Sequence, residues 1–333
     1  MPDPMQRSVL VIGAQGFLGS FLATAFSRHG WRVTRGGRRS EPADDFRLVD
    51  LDRPDTIRNA CAEVDLVLST VRHPGLTAER AVLDAGPTLL NLDDLPATPR
   101  ARLKRDISQP AGLVVDRSGL YGVAMLALSE LLARHPDADT VDYGFLASIA
   151  EAAGPSGRAI VHRLLAGSGR HPTTAVRLPP PFGACRAIVS GPDGESLARD
   201  VAGERAVRVL VSFRPGIVNR AMLGLNAIGL ASRLPLGAFT FPRTAPPAEP
   251  SRQPTCHWVS VRRGAKVVAS RCLVGAGDYR SSVATTLVFA DALVARPHAA
   301  PVRRGVFGVD ELLSFAQMEP ALHASGIETG ALG

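Results

Sequence analysis

The chain has 333 residues, 45% of them hydrophobic, and carries a net charge of +7. That is enough chain to bury a substantial core, in two domains or one large one. The cations are nearly all arginine, with Lys104 and Lys266 the only lysines, and no basic run is interleaved with aromatics; nucleic acid is therefore not expected, and the charge reads either as biased genome composition or as a positive field attracting an anionic cofactor and substrate.

In chain order, residues 9–19 read VLVIGAQGFLG. The four apolar residues predict a buried parallel strand. Gly13 then permits a tight turn, Gly16 admits a pyrophosphate close to the backbone, and Gly19 lets the following helix pack near the sheet. Phe17, Leu18, Phe21, Leu22, Ala25 and Phe26 form one apolar face of that helix, whose N-terminus offers N–H groups and positive dipole to phosphates. Gly13, Gln15, Gly16, Phe17, Leu18 and Gly19 are therefore the expected pyrophosphate loop.

Further strands are expected at 31–34, 46–51, 64–69, 88–92 and 111–115, with helices at 54–62, 76–85 and 100–107 between them. This alternation predicts a doubly wound parallel sheet of the Rossmann type, with ligand at the carboxyl ends of its strands. After Asp116 the rhythm changes. Helices are expected at 122–134 and 157–166, and strands at 140–149, 174–178, 184–189, 206–213, 256–261 and 266–274. Such a run fits an α+β domain with a mostly antiparallel sheet. A proline-rich loop at 241–255 and helices at 279–295 and 310–325 complete the chain. The expected division is 1–120, 121–275 and 276–333, the last part returning its helices to the first domain.

The end of the second strand selects the cofactor. An acid there binds the ribose hydroxyls of NAD, but this chain has Arg35-Gly36-Gly37-Arg38-Arg39, with no acid before Glu41. Guanidinium groups grip phosphate bidentately, so NADP is expected, clamped by Arg38 and Arg39 while Arg35 points elsewhere. Asp50 and Leu51 end the third strand, where an adenine is flanked. Ser69, Thr70 and Val71 end the fourth, beside the nicotinamide half.

Other chemistries find no material. The residues four after Tyr121, Tyr143 and Tyr279 are Met125, Ala147 and Val283, so no Tyr-x-x-x-Lys pair exists. The nucleophile elbow and the H-E-x-x-H zinc motif are absent too. Cys61, Cys185, Cys256 and Cys272 form no C-x-x-C pair; free thiols are expected rather than a zinc site from Cys256, His257 and Cys272. Residues 1–8 are polar and predict no secretory leader, so a cytoplasmic protein is expected. The apolar-leaning stretch 217–241 is broken by Asn219, Arg220, Asn226, Arg233 and Pro235, too often for a membrane span. It is read as core or as the interface of a homodimer, with a peripheral membrane contact or the wall of a hydrophobic cleft as alternatives.

Four segments give the chain a resemblance to the saccharopine dehydrogenase-like oxidoreductases. They are the GAQGFLG loop, the stretch STVRHPGLTAERAVLDAGPTLLNLDD (69–94), the start of the second domain at 118–151, and the tail GVFGVDELLSFAQMEPALHASGI (305–327). The chain departs from that family in two loops, at Val71-Arg72-His73-Pro74 and at Tyr121-Gly122. The resemblance implies hydride transfer between a nicotinamide and a carbon held between the domains. On its expected active-site loops lie Tyr121, His73 and Asp93 as candidate proton donors or substrate-holding groups, and Arg72 as a carboxylate partner. His162 and Arg163 could also reach the cleft. The implied substrate is a small anionic imine, keto acid or amino-acid-derived molecule. A lipid-like or carrier-bound enoyl substrate, and a non-catalytic NADP-binding sensor, are the alternatives.

Overall fold

The computed structural model describes residues 6–39, 43–71, 73–92, 94–95, 97–148, 164–165, 170–231, 251–294 and 303–332. The chain divides into two compact units. The first is Met1–Gly122 with Ser282–Leu313, the second Val123–Ser281 with Ser314–Gly333.

The first unit holds β1 (Ser8–Ile12), α1 (Phe17–Arg28), β2 (Arg32–Gly37), β3 (Phe46–Leu48), α2 (Pro54–Cys61), β4 (Leu66–Ser69), α3 (Thr77–Ala85), β5 (Thr88–Asn91), α4 (Ala97–Asp106) and β6 (Leu113–Asp116). Strand β13 (Gly305–Gly308) joins them from the C-terminal part, giving the order β13-β6-β5-β4-β1-β2-β3. Every pairing is parallel. The doubly wound order reverses between β1 and β4, where such sheets bind ligands. Every residue of β1, β4, β5 and β6 is buried, as continuous apolar runs covered on both faces require. Leu10, Ile12, Val67, Leu89 and Val114 from the strands pack with Ile57, Val82 and Leu103 from the helices in one cluster.

Two local readings change. The third strand ends at Leu48 rather than residue 51: the Asp50 N–H donates to Thr56 Oγ1 at 2.9 Å, drawing the chain into the turn that opens α2. Strand β13 was not expected, because Gly-Val-Phe-Gly is too short and glycine-rich to announce itself. Its pairing with Leu113–Asp116 of β6 supplies what the sequence alone does not.

The second unit contains β7 (Thr140–Ser148), β8 (Thr173–Leu178), β9 (Gly183–Val189), β10 (Ala206–Arg214), β11 (Pro254–Arg263), β12 (Lys266–Ala276) and β14 (Glu328–Gly330). Their order is β14-β12-β11-β7-β10-β9-β8, with β7 and β10 parallel and the other pairs antiparallel. The mostly antiparallel second sheet is as the sequence suggests. The unit boundaries fall within α5 (Leu120–Arg134) and α8 (Asp278–Leu293).

Helices α6 (Pro192–Ala202) and α7 (Gly216–Ala227) were not expected. Helix α7 hides its period by burying amides. Asn219 accepts from the Phe213 N–H and donates to the Arg186 carbonyl, both at 3.0 Å, and Asn226 brackets the His171 backbone at 2.9 and 2.8 Å. Ile217 and Ile228 of that apolar-leaning stretch are exposed. Positions 232–241 of that stretch lie outside the described residues, as does the 157–166 helix except for the buried helical Leu164 and Leu165. No described helix is long and apolar enough to cross a membrane.

The last helix, α9 (Phe315–Ala324), belongs to the second unit, whereas the sequence reading sent both terminal helices to the first. Arg271 of β12 explains the placement: its guanidinium stacks over Phe315 and pairs with Glu319 at 3.2 Å, and β14 then adds to the edge of β12. The 310–325 prediction resolves into a short 3-10 turn at Val309–Glu311 and then α9, started by a Ser314–Gln317 capping box.

Candidate dinucleotide site

The glycine loop leaves the carboxyl end of β1 through Gly13, which has φ +84°. A side chain there would strike Thr70 Oγ1 and Val71 Cγ1, so the loops after β1 and β4 lie in direct contact. Thr70 fixes that contact by donating its N–H and hydroxyl to the Ile12 carbonyl, at 3.2 and 3.1 Å. A Cβ on Gly19 would overlap the Gly13 carbonyl, which is how closely α1 approaches the strand end. Helix α1 starts at the N-cap Gly16 with no acidic residue in its first turn. Its positive end is thus left for an external anion.

The β2–β3 connection joins the same edge. Gln15 donates from Nε2 to the Arg39 carbonyl at 3.0 Å, and its side chain fills the space beside Gly37. Arg35 is committed elsewhere, forked onto Asp45 at 3.0 and 3.1 Å. That guanidinium holds the Asp45 carboxyl below its ordinary range. Arg38 and Arg39 are exposed and, among the described residues, have no carboxylate partner. The Val49 N–H donates to the Gly37 carbonyl at 3.0 Å, which carries Asp50 and Leu51 to this edge.

His73 closes the arrangement. Its Nε2 meets Asp52 Oδ1 at 3.1 Å, while Nδ1 accepts from the Gly75 N–H at 3.2 Å and lies 2.9 Å from Thr77 Oγ1. Both ring nitrogens are occupied, so His73 braces the loop after β4 against the loop after β3. Ser69 tightens its own loop by donating to the Val71 carbonyl at 2.9 Å. Every described member of the expected cofactor set thus lies at the carboxyl ends of β1 to β4, on the loops there, on the first turn of α1 or, for Ser69, on the last residue of β4. Asp93, Arg72, His162 and Arg163 lie outside the described residues.

Tyr121 opens α5 after β6, two strands from β4 and about 10 Å along the edge at ordinary strand spacing. It is half-buried and interacts electrostatically with Arg117. Arg117 itself is 1% exposed, has φ +65°, and pairs with Asp310 at 2.9 Å. Asp116 accepts the Leu95 N–H on both oxygens at 3.0 Å, and burial, aided by the charge of Asp94, raises its carboxyl. This buried cluster lies at the start of α5. Sequence reasoning missed it, because Asp310 follows a strand that the sequence does not announce.

The second unit has its own polar group at the end of β7. Asp278 accepts from Thr255 Oγ1 and from the Ser148 N–H. Burial pushes its carboxyl up to about 6 against those hydrogen bonds, which favour the charged form. His257, whose Nδ1 lies 3.0 Å from Tyr143 OH and whose ring stacks on Phe145, is pulled down to about 3 by desolvation and is neutral. Cys256 and Cys272 belong instead to the apolar cluster around Trp258, on the opposite face of β11. All four cysteines are free, and the described residues contain no group of three metal-ligating side chains.

The sequence profile of the NAD dependent epimerase/dehydratase family matches residues 9–85. That span runs from β1 to the end of α3 and contains neither a tyrosine nor a lysine. No curated protein matches the chain. Among solved structures, saccharopine dehydrogenase (L-Glu forming) from Saccharomyces cerevisiae aligns over 98% of this chain and 100% of its own, with 11% identity and a TM-score of 0.57. A meso-dapdh variant from Clostridium tetani aligns over 95% and 97% at 10% identity, TM-score 0.47. An amine dehydrogenase from Mycobacterium smegmatis aligns over 93% and 96% at 12% identity, TM-score 0.46. The resemblance read from the sequence therefore holds for the fold: the chain is similar in architecture to saccharopine dehydrogenase, with a Rossmann sheet followed by a mostly antiparallel one.

Proposed function

We propose that the chain is an NADP-dependent oxidoreductase acting on a small anionic imine, keto acid or amino-acid-derived substrate. The observation carrying this reading is the convergence of the glycine loop, Arg38, Arg39 and the loop after β4 at one edge, with Arg35 withdrawn onto Asp45. The residues fit the cofactor by chemistry. The start of α1 takes the pyrophosphate, Arg38 and Arg39 take the 2′-phosphate, and Asp50 and Leu51 flank the adenine. Ser69, Thr70 and Val71 border the nicotinamide half. When bound, the nicotinamide supplies or accepts the hydride.

The protein's part is position and proton management. Tyr121, beside a buried arginine, is the group that gives a proton to a developing alkoxide or amine, and that arginine favours the phenolate left behind. His73 serves as a brace rather than a donor, since both its nitrogens are engaged. Asp93 is retained as a substrate-holding carboxylate. Calorimetric titration tests the cofactor assignment. Arg38→Ala with Arg39→Ala should weaken NADPH binding about 100-fold, from two charge-assisted contacts of roughly 1.5 kcal/mol each, and leave NADH unchanged. An unaltered preference for NADPH refutes the clamp. Tight NADPH binding without turnover on any imine or keto acid replaces the enzyme reading with the sensor.

A further inference from the structure

The second sheet carries a cavity of about 630 Å³ on the face shared by β7, β8, β10, β11 and β12, a volume in the range of small-molecule sites. Its polar end is built around Asp142 of β7, whose side chain is 4% exposed. Register places Arg208 of β10 and Ser260 of β11 directly opposite Asp142. Arg208 forks onto the carboxylate at 2.7 and 3.2 Å, Ser260 donates to it at 3.1 Å, and Arg262 stands 3.4 Å away. One carboxylate therefore faces two guanidinium groups. Arg177 of β8 lines the same cavity and has no carboxylate partner among the described residues. Two guanidinium groups thus meet one carboxylate, Arg177 adds a further cation to the lining, and charge in a partly dehydrated setting calls for balance.

The adjoining row of the same face is apolar with one unanswered donor. The Trp258 ring is 1% exposed and lies across Gly144, where a Cβ would overlap the indole. Its Nε1 is buried and has no hydrogen-bond partner among the described residues, which leaves its desolvation uncompensated. Val176, Leu210 and Leu332 complete the greasy side. Cations at one end, an unused N–H, and an apolar wall describe a receptor for an amphiphilic anion.

We propose that this cavity binds a small organic anion, a carboxylate or phosphate joined to an apolar body, with Arg177 and the surplus charge around Asp142 taking the anionic group. The site lies wholly within the second unit and does not depend on the dinucleotide reading. The chain has two tryptophans, Trp31 in the first unit and Trp258 here, and each has a buried indole N–H without a partner. Indole nitrogen–proton NMR, assigned with Trp31→Phe, therefore contains its own control. Benzoate or phenyl phosphate should shift the Trp258 resonance saturably and leave that of Trp31 in place, whereas neutral benzamide should shift neither. Arg177→Ala, at an exposed position, should weaken the effect at least tenfold. Saturation by benzoate alone or by phenyl phosphate alone identifies which anion the site prefers. No saturable shift with either anion, an equal shift with benzamide, or indifference to Arg177→Ala overturns the proposal. So does a Trp258 shift that tracks protein concentration instead of anion, which would make this face a surface between copies of the chain.

Discussion

Gly16 and Gly19 are both glycines of one loop, but they fail for different reasons when given a side chain. A Cβ on Gly19 would overlap the Gly13 carbonyl, and backbone cannot yield cheaply; at Gly16 the nearest atom is that same carbonyl at 3.2 Å. Gly19→Ala should therefore lose about 2 kcal/mol or more of stability in urea melts. Gly16→Val should keep a near-normal melt yet lose NADPH affinity by about 100-fold in titration; normal binding by it would remove the loop from the pyrophosphate site. Tyr121→Phe tests the proton path. Turnover should fall by about 100-fold with NADPH affinity unchanged, the pattern of a donor acting only in the transition state. The glycine turn and the position of Arg38–Arg39 were legible because both stand at a fixed place after a strand. The Arg117–Asp310 pair was not, because its partners are 193 positions apart in sequence.

At the scale of elements, β1, β4, β5 and β6 were easy to find because apolar runs buried on both faces read continuously. Helix α7 was obscured by the opposite circumstance: two of its three buried residues are the amides Asn219 and Asn226, beside Met222, and an apolar period cannot reveal them. The junction of β11 and α8 places Asp278 against Thr255 and Ser148, and this has a pH consequence. With its folded value raised from 3.8 to about 6, Asp278 retains a proton between those limits that the unfolded chain releases. Its contribution to stability therefore declines as pH rises from about 4 through about 6 and is flat above. Asp278→Asn should remove that slope. Compared with the parent, the variant should gain on the order of 1–2 kcal/mol between urea melts at pH about 4 and pH about 7.5. An identical difference at both pH values would show that Asp278 does not titrate there.

For the whole molecule, the two units separate the proposed dinucleotide site from the cavity near Asp142. A ligand bound only by the folded state stabilises it by about 2.7 kcal/mol at 100 times its Kd. Hydrogen exchange with saturating NADPH should accordingly slow in the loops at 13–19, 37–39, 49–52 and 70–73, and the strands around Asp142 should keep their rates. Protection centred on the second sheet instead would relocate the cofactor. With a net charge of +7, NADPH affinity should also fall as salt rises.

The sequence by itself determined the Rossmann sheet, the glycine turn after its first strand, and the mostly antiparallel character of the second sheet. These rest on local patterns: strand period, glycine spacing, and charge next to a strand end. Only the tertiary structure decided the seventh strand of the first sheet, the membership of the last helix in the second unit, and the bracing role of His73. It alone set Arg117 against Asp310 and gathered Arg208, Arg262 and Ser260 on Asp142. Each of these depends on contacts, backbone or side chain, between residues that folding brings together from separate elements, and no period within a single segment encodes them.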